Sequence, residues 1–263
     1  MSKQPPEILY KYRNFDARSI SMLANNQIYF ASLLDFNDPF DCVAHEHLFE
    51  THTPQSLELL ARLHPQVSPE NTARLIEAIQ RHPEIKKIIA EQKIALPKFL
   101  NETGVLCLSA CNDSILMWSH YANYHKGFCI GFKNNIGLQD SLIREVSYTK
   151  ARSNDFIPLY LFSQIATTEE AIDNLLQLFI FTKYIDWQYE QEWRIIGEKG
   201  IAIYPHDCIE HIIFGLKMPL EERNTIHYLL KNKNVNFFEA VKSKQHFSIE
   251  IKPISVSSTS RNL

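Results

Sequence analysis

Glycine is scarce in this chain, with seven in 263 residues. None falls in a G-x-G-x-x-G or G-x-x-x-x-G-K pattern, which excludes a Rossmann phosphate turn and a P-loop. A nucleotide bound here would not have its phosphates held by a glycine-rich loop opening a helix. Cysteine is sparse and odd in number: Cys42, Cys107, Cys111, Cys129 and Cys208. An odd, scattered set argues against a disulfide framework. Cys107 and Cys111 stand four apart, but no second pair completes a zinc knuckle. An excess of one charge is missing too. The net charge is −3, so composition makes no global case for a nucleic-acid or membrane-surface protein. Long apolar runs are absent; the longest, around Leu175 to Phe181, is far too short to span a bilayer. No signal-peptide core follows the polar start from Met1 to Glu7, so the expected location is cytoplasmic, with no membrane partner.

What is present is an ordinary globular composition, 45% hydrophobic and 22% charged. The pattern predicts one domain over 1–263. Ile8 to Arg13 reads as a first strand, with Lys11 and Arg13 on one face and Tyr10 and Tyr12 on the other. Asp16 is placed to cap a short helix near Ala17 to Ala24. Asn25-Asn26 makes a turn into a second strand, Gln27 to Ser32. Asn37-Asp38-Pro39 is strong turn chemistry. From 54 to 102, leucines and isoleucines recur at helical spacing between prolines, which predicts a helical insertion or cap. Strands return at Gly104 to Ser109, Gly127 to Phe132 and near Glu145 to Tyr148. A helix is expected over Ile115 to Asn123 and a helical block over Thr168 to Tyr184. Ile209 to Phe214, Val235 to Glu239 and Phe247 to Ile251 read as strands, and Glu221 to Leu230 as a helix. The polar tail, 255–263, is expected to be disordered. Helical blocks flanking mostly antiparallel strands predict an α+β fold.

The densest chemistry lies in Trp187-Gln188-Tyr189-Glu190-Gln191-Glu192-Trp193-Arg194-Ile195-Ile196. Apolar and charged residues alternate there, the period of a half-buried strand. Glu190, Glu192 and Arg194 would share one face, and Tyr189, Trp193 and Ile195 the other. Paired carboxylates on a rigid element can hold a sugar or stabilise a developing cation. The plainer reading is a solvated Glu–Arg ladder of little energetic weight.

Three other constellations stand out. Tyr10, Lys11, Tyr12 and Arg13 combine cations that can meet a phosphate with rings that can stack. Asp38, Asp41, His45 and His47 place four potential metal ligands within a short stretch, although the Asn37-Asp38-Pro39 turn accounts for part of it. Met117-Trp118-Ser119-His120-Tyr121-Ala122 with His125 supplies a core tryptophan and possible cleft residues in His120, Tyr121 and His125. Ser119 and His120 are adjacent and cannot face each other. No glycine forms a nucleophile elbow, so a serine-hydrolase reading is weak.

Taken together, these stretches resemble a bacterial family, domain of unknown function 2971. The resemblance is carried by Leu9 to Arg13, Ile28 to Ser32 with Phe36 to Asp41, Met117 to Ala122 with His125 to Phe128, Trp187 to Arg194 and Ile212 to Lys217. It runs through nearly the whole chain and implies no settled activity. The order of parts also resembles the ADP-ribosyltransferase superfamily. In that superfamily a first strand carries a His or Arg that contacts NAD, a second carries a Ser or Tyr, and a late strand ends in an acidic-x-Glu motif. The resemblance implies a split, mostly antiparallel sheet with helical insertions. Lys11 or Arg13 would fill the first slot, Tyr29 or Ser32 the second, and Glu190-Gln191-Glu192 the last. Lys11 departs from the expected His or Arg.

On this resemblance the chain would use NAD as a substrate and no metal. It would transfer ADP-ribose to a protein or nucleic-acid acceptor, or hydrolyse NAD, as a toxin or phage-defence effector. Glu192 and Glu190 would be catalytic. Tyr10, Lys11, Arg13, Tyr29, Ser32, Tyr121 and Arg194 would bind NAD, with Asn37, Asp38, Asp41, Trp118, His120 and His125 in support. Two rivals remain from the residues: a non-catalytic nucleotide- or nucleic-acid-binding module, and a metal-dependent hydrolase or nuclease built on Asp38, Asp41, His45 and His47.

Overall fold

The computed structural model describes residues 4–42, 101–134, 136, 143–150, 176–177 and 179–254. The helical insertion expected over 54–102 lies almost entirely outside these residues. So do His45, His47, most of the block expected over 168–184 and the 255–263 tail. The chain forms two compact units. One comprises Met1–Phe30, Val105–Val146 and Asp186–Leu263; the other comprises Ala31–Gly104 and Ser147–Ile185.

The first unit is built on a large sheet. In chain order its strands are β1 (Ile8–Arg13), β2 (Gln27–Ser32), β3 (Thr103–Ser109), β4 (Phe128–Lys133) and β5 (Ile143–Glu145). After β6 (Ser147–Thr149) and β7 (Thr182–Tyr184), which pair with each other, it continues with β8 (Glu192–Glu198), β9 (Gly200–Ile203), β10 (Ile209–Phe214), β11 (Asn236–Lys242) and β12 (Ile249–Pro253). The spatial order is β12-β11-β10-β4-β1-β3-β2-β9, and β8 pairs with both β3 and β5. Every pairing with a described register in this sheet is antiparallel except β10 with β11. The helix α3 (Leu220–Leu229) connects those two parallel strands. The α+β expectation and its mostly antiparallel sheet therefore stand.

Core membership alternates along the central strands. Leu9, Phe128, Ile130, Phe132, Ile212 and Phe214 join one apolar cluster. Tyr12, Cys129 and Ile213 join another. This is the period-2 alternation of a sheet covered on both faces. On the first side α1 (Ala17–Asn25) contributes Met22 and Leu23, and α3 contributes Ile226. On the second, α2 (Ile115–Tyr121) contributes Met117 and Trp118. Burying one such side chain stabilises the fold by about 1.5–3 kcal/mol.

Local chemistry sets the helix ends. Asp16 accepts a hydrogen bond from the Ser19 amide at 2.8 Å, capping α1 as expected, and Asn26 closes it in the left-handed region. Ser114 caps α2 through the Met117 amide at 3.3 Å. This helix stops at Tyr121, short of the expected Asn123. Asn123, Tyr124 and His125 are all left-handed and cannot continue it. Two glycines permit close chain approach next to this turn. A Cβ at Gly127 would collide with the Arg13 carbonyl oxygen, and one at Gly215 with the His125 carbonyl oxygen.

Three expectations are corrected. The acidic stretch is no continuous strand: Ile185–Glu190 forms a 3-10 helix, Gln191 is left-handed, and β8 begins at Glu192. Alternation from Glu192 onward holds, but both sides of β8 are buried, so the solvated-ladder reading fails. Thr182–Tyr184 is a strand rather than a helix end; β-branched and aromatic residues favour that pleated pairing. The single strand expected near Glu145 to Tyr148 is two short ones, split at the buried Val146.

In the second unit β6 and β7 pair in parallel. Lys183 on β7 meets Asp41 at 3.4 Å, with both side chains buried. The Asp38 carboxylate accepts the Phe40 amide at 2.9 Å, the local turn bond its sequence context predicts.

Candidate functional site

The acid-x-acid segment is fixed through its own backbone. Ser109 Oγ donates to the Glu190 carbonyl at 2.5 Å. The Ala110 amide donates to the Gln191 carbonyl at 2.9 Å, and the Val146 amide to the Glu192 carbonyl at 2.9 Å. Three consecutive carbonyls are thus held by β3, the residue after it and the β5–β6 junction. The grip maintains Gln191 at a positive φ of 44°. A non-glycine residue in that region costs about 1–3 kcal/mol and persists only where its surroundings over-determine it.

Both carboxylates that flank Gln191 are buried. Glu192 accepts the Arg194 guanidinium in a two-pronged bond, Nε to Oε1 and Nη2 to Oε2, each at 2.9 Å. Arg194 is fully buried. The two lie two residues apart on β8, the same-face geometry expected of a strand. Glu190 leaves the 3-10 helix and accepts the Tyr121 hydroxyl at 2.6 Å, a short charge-assisted bond. A carboxylate has acceptor capacity for about four hydrogen bonds, and the Arg194 fork engages two positions on Glu192. Trp193 and Ile195, on the opposite side of β8, belong to the large core cluster and hold the strand in place.

Two β1 and β3 side chains feel these acids. Lys11 donates to the Cys107 carbonyl at 2.7 Å. Burial pulls its pKa down and Arg13 reinforces that, while Glu192 and Glu190 oppose it. Burial raises the Cys107 thiol, with Glu192 adding to the rise and Arg194 and Lys11 resisting it. Lys11, Cys107, Glu192 and Arg194 are therefore electrostatic neighbours. Cys107 stays a protonated thiol, unsuited to nucleophilic work. All five cysteines are free.

The other sequence-flagged residues divide. Tyr121 reaches Glu190, and the His120 ring lies 6.2 Å from Tyr189 and 6.3 Å from Tyr121. Trp118 is core, with its indole N–H on the Asn112 carbonyl. Arg13 turns to Ser19, donating from Nε at 3.0 Å, and Tyr10 packs on His211. Tyr29 is exposed on β2, opposite Ile201. Ser32, Asn37, Asp38 and Asp41 fall in or at the edge of the second unit. There the Ser32 hydroxyl accepts the Leu34 amide, a local capping role. No group of three or more His, Cys, Asp or Glu among the described residues could hold a metal. No helix among them is long and apolar enough to cross a membrane.

Sequence reasoning missed one pairing. Ser119 Oγ lies 3.0 Å from His125 Nε2. The left-handed run after α2 folds His125 back, with its amide on the Trp118 carbonyl. Ser119 also donates to the Ile115 carbonyl at 2.8 Å. Its single proton is committed there, so the imidazole Nε2–H is the donor to Ser119. His125 Nδ1 is buried without a hydrogen-bond partner. Burial, together with Lys217 and Lys242, lowers the His125 pKa. The only sequence signal was the six-residue interval, which no regular helix converts into contact.

Residues 117–195 match a protein-family model described as a protein of unknown function, DUF2971. The match supports that family. It starts in α2 and ends in β8, so it contains Ser119, Tyr121, His125, Glu190, Glu192 and Arg194. The motif resemblance had extended through nearly the whole chain. No curated protein and no solved structure matches the chain. The transferase resemblance gains no support from these comparisons.

Proposed function

We propose that the chain acts on the glycosidic bond between nicotinamide and ribose in NAD, passing ADP-ribose to an acceptor or to water. The observation that carries this reading is the pinned, strained Gln191 with a buried carboxylate on either side. Strain maintained by three carbonyl hydrogen bonds is the kind of pre-organisation a reacting centre requires. Acid pairs suit this bond because its cleavage develops an oxocarbenium-like ribose.

In this reading the residues divide the work as follows. Glu192, oriented by Arg194, accepts the ribose 2′-hydroxyl and offsets the positive charge at C1′. The C1′–N bond breaks, and its electron pair leaves with nicotinamide. An acceptor oxygen or nitrogen then bonds to C1′ and gives its proton to Glu190. The Tyr121 hydroxyl orients Glu190 for that transfer. Lys11 and Arg13 each already hold a protein partner, so neither is assigned to the pyrophosphate.

The deciding experiment is nicotinamide release from NAD by purified protein, with and without cell lysate, beside Glu190→Gln. Losing a positioned general base lowers rates by about 10²–10⁴-fold. The expected result is release by the native chain and a loss of that size in the variant, with the variant still folded by circular dichroism. No release under either condition, together with no NAD binding by calorimetry, would overturn the reading.

A further inference from the structure

One end of the sheet gathers cations that play no part in the site above. Phe128 on β4 pairs with Phe214 on β10, which pairs with Glu239 on β11. β4 starts at this row and β10 ends at it, while β11 runs parallel to β10. Chain before Phe128 and after Phe214 therefore leaves the sheet on the side toward which β11, still paired with β12, runs on from Glu239 to Lys242. Lys126 lies just before the row, and Lys217 and Lys242 just after it. At about 3.3 Å per extended residue, each emerges within roughly 10 Å of the row. The Lys217 amide donates to the His125 carbonyl at 2.9 Å, so two of these segments touch.

The β11–β12 hairpin extends this surface. The Ser243 amide closes it on the Ser248 carbonyl at 3.0 Å. Its tip exposes Lys244, His246 and Phe247. Phe247 is fully open to solvent, and Tyr124 on the left-handed run is 72% exposed. No ion pair among the described residues engages Lys126, Lys217, Lys242 or Lys244. The nearby Glu250 is already taken by Lys252 at 3.0 Å, and Glu222 stands near Lys126.

We propose that this end of the sheet binds single-stranded nucleic acid, with Lys126, Lys217, Lys242 and Lys244 on phosphates and Tyr124 and Phe247 stacked on bases. Cations that follow a backbone, interleaved with open aromatic faces, are how sequence-tolerant strand binders work. A duplex hides its base faces, so the aromatic rings favour a single strand. A lipid surface fits less well. Phe247 stands between His246 and Ser248, and Tyr124 between Asn123 and His125, so neither belongs to a contiguous apolar tip. The overall charge of −3 makes the patch local rather than a property of the whole chain. Strand binding at this end of the sheet does not depend on NAD being the substrate.

Fluorescence anisotropy tests it with labelled dT and U strands of about 20 nucleotides, a duplex and anionic phosphatidylserine vesicles. Affinity is read from about 50 mM salt upward. The paired variant Lys242→Glu with Lys244→Glu should weaken strand binding at least tenfold and reduce the salt slope by roughly 1.4. Phe247→Ala should weaken it about fivefold or more. These positions are exposed, so melting temperatures should not change. The dT and U arms separate DNA from RNA. Absence of binding to either strand, binding untouched by these variants, or vesicle binding that depends on Phe247 without strand binding would overturn the proposal.

Discussion

Removing Arg194 tests the structure most directly. Its guanidinium is fully buried, and both of its 2.9 Å bonds go to Glu192, itself only 4% exposed. Arg194→Met keeps much of the side-chain volume and deletes the charge. Glu192 then keeps its buried charge with the guanidinium fork gone. Breaking a buried pair from one side costs about 3–5 kcal/mol, because the surviving charge is uncompensated. Domains have about 5–15 kcal/mol in total, so this one change removes a large share. For a chain of this size it lowers the melting temperature by on the order of 10 °C. Urea unfolding followed by circular dichroism measures the cost.

The companion double variant makes the argument sharper. Replacing both members, Glu192→Leu with Arg194→Met, removes the uncompensated charge. Apolar replacement of a buried pair is often neutral or stabilising, so the double variant should be more stable than Arg194→Met alone. A cost below about 1 kcal/mol for Arg194→Met would refute this reasoning, since that is how an exposed, screened pair behaves. A double variant less stable than the single would refute it as well.

Two further predictions concern the scaffold. His125, His211 and His227 all have pKa values lowered by burial, with Lys217 and Lys242 adding at His125 and Arg223 at His227. The unfolded chain therefore takes up protons first as pH falls through about 6.5, and stability drops from there toward the lower folded values. Melting temperature should decline between pH 7.5 and 5.5; a flat or rising profile would contradict the assignment. Gly127→Ala should destabilise by about 1–3 kcal/mol, because the new methyl meets the Arg13 carbonyl oxygen, which is backbone and cannot swing aside; an unchanged urea midpoint would contradict that.

Much of the fold was legible because it is written in short-range chemistry. The Asp16 cap, the Asn26 turn and the alternation in β1, β4 and β10 all appear where local pattern puts them. Departures arise where distant residues decide. Trp187 to Gln191 has a strand alternation, yet it forms a 3-10 helix and a left-handed residue, with Ser109 and Ala110 holding the Glu190 and Gln191 carbonyls. Burial of Glu192 and Arg194 was equally unreadable, since a charged pair two residues apart looks identical on an open or a covered strand. Tyr121 was flagged as a cleft residue from its helix, but its partner Glu190 lies 69 positions away. Ser119 meeting His125 depends on three successive left-handed residues, none of them glycine. Local propensity argues against such a run.

The burial of the pair also changes what a loss-of-function variant means. Glu192 is a structural partner of Arg194 before it is anything else, so Glu192→Gln weakens a buried fork and perturbs folding along with chemistry. Inactivity in that variant alone cannot separate the two. Glu190 offers the separation. Its carboxylate accepts the Tyr121 hydroxyl, and its backbone position is set by Ser109 independently of that carboxylate. Tyr121→Phe deletes that hydroxyl while keeping the ring. The lost charge-assisted bond is worth about 1.5–3 kcal/mol, while the ring keeps its packing. If Glu190 is the proton acceptor, Tyr121→Phe should lower turnover and move the pH profile of kcat, with KM for NAD little changed. A variant that loses only stability, with its pH profile intact, would place the Tyr121–Glu190 bond in the scaffold and leave Glu190 without a chemical role.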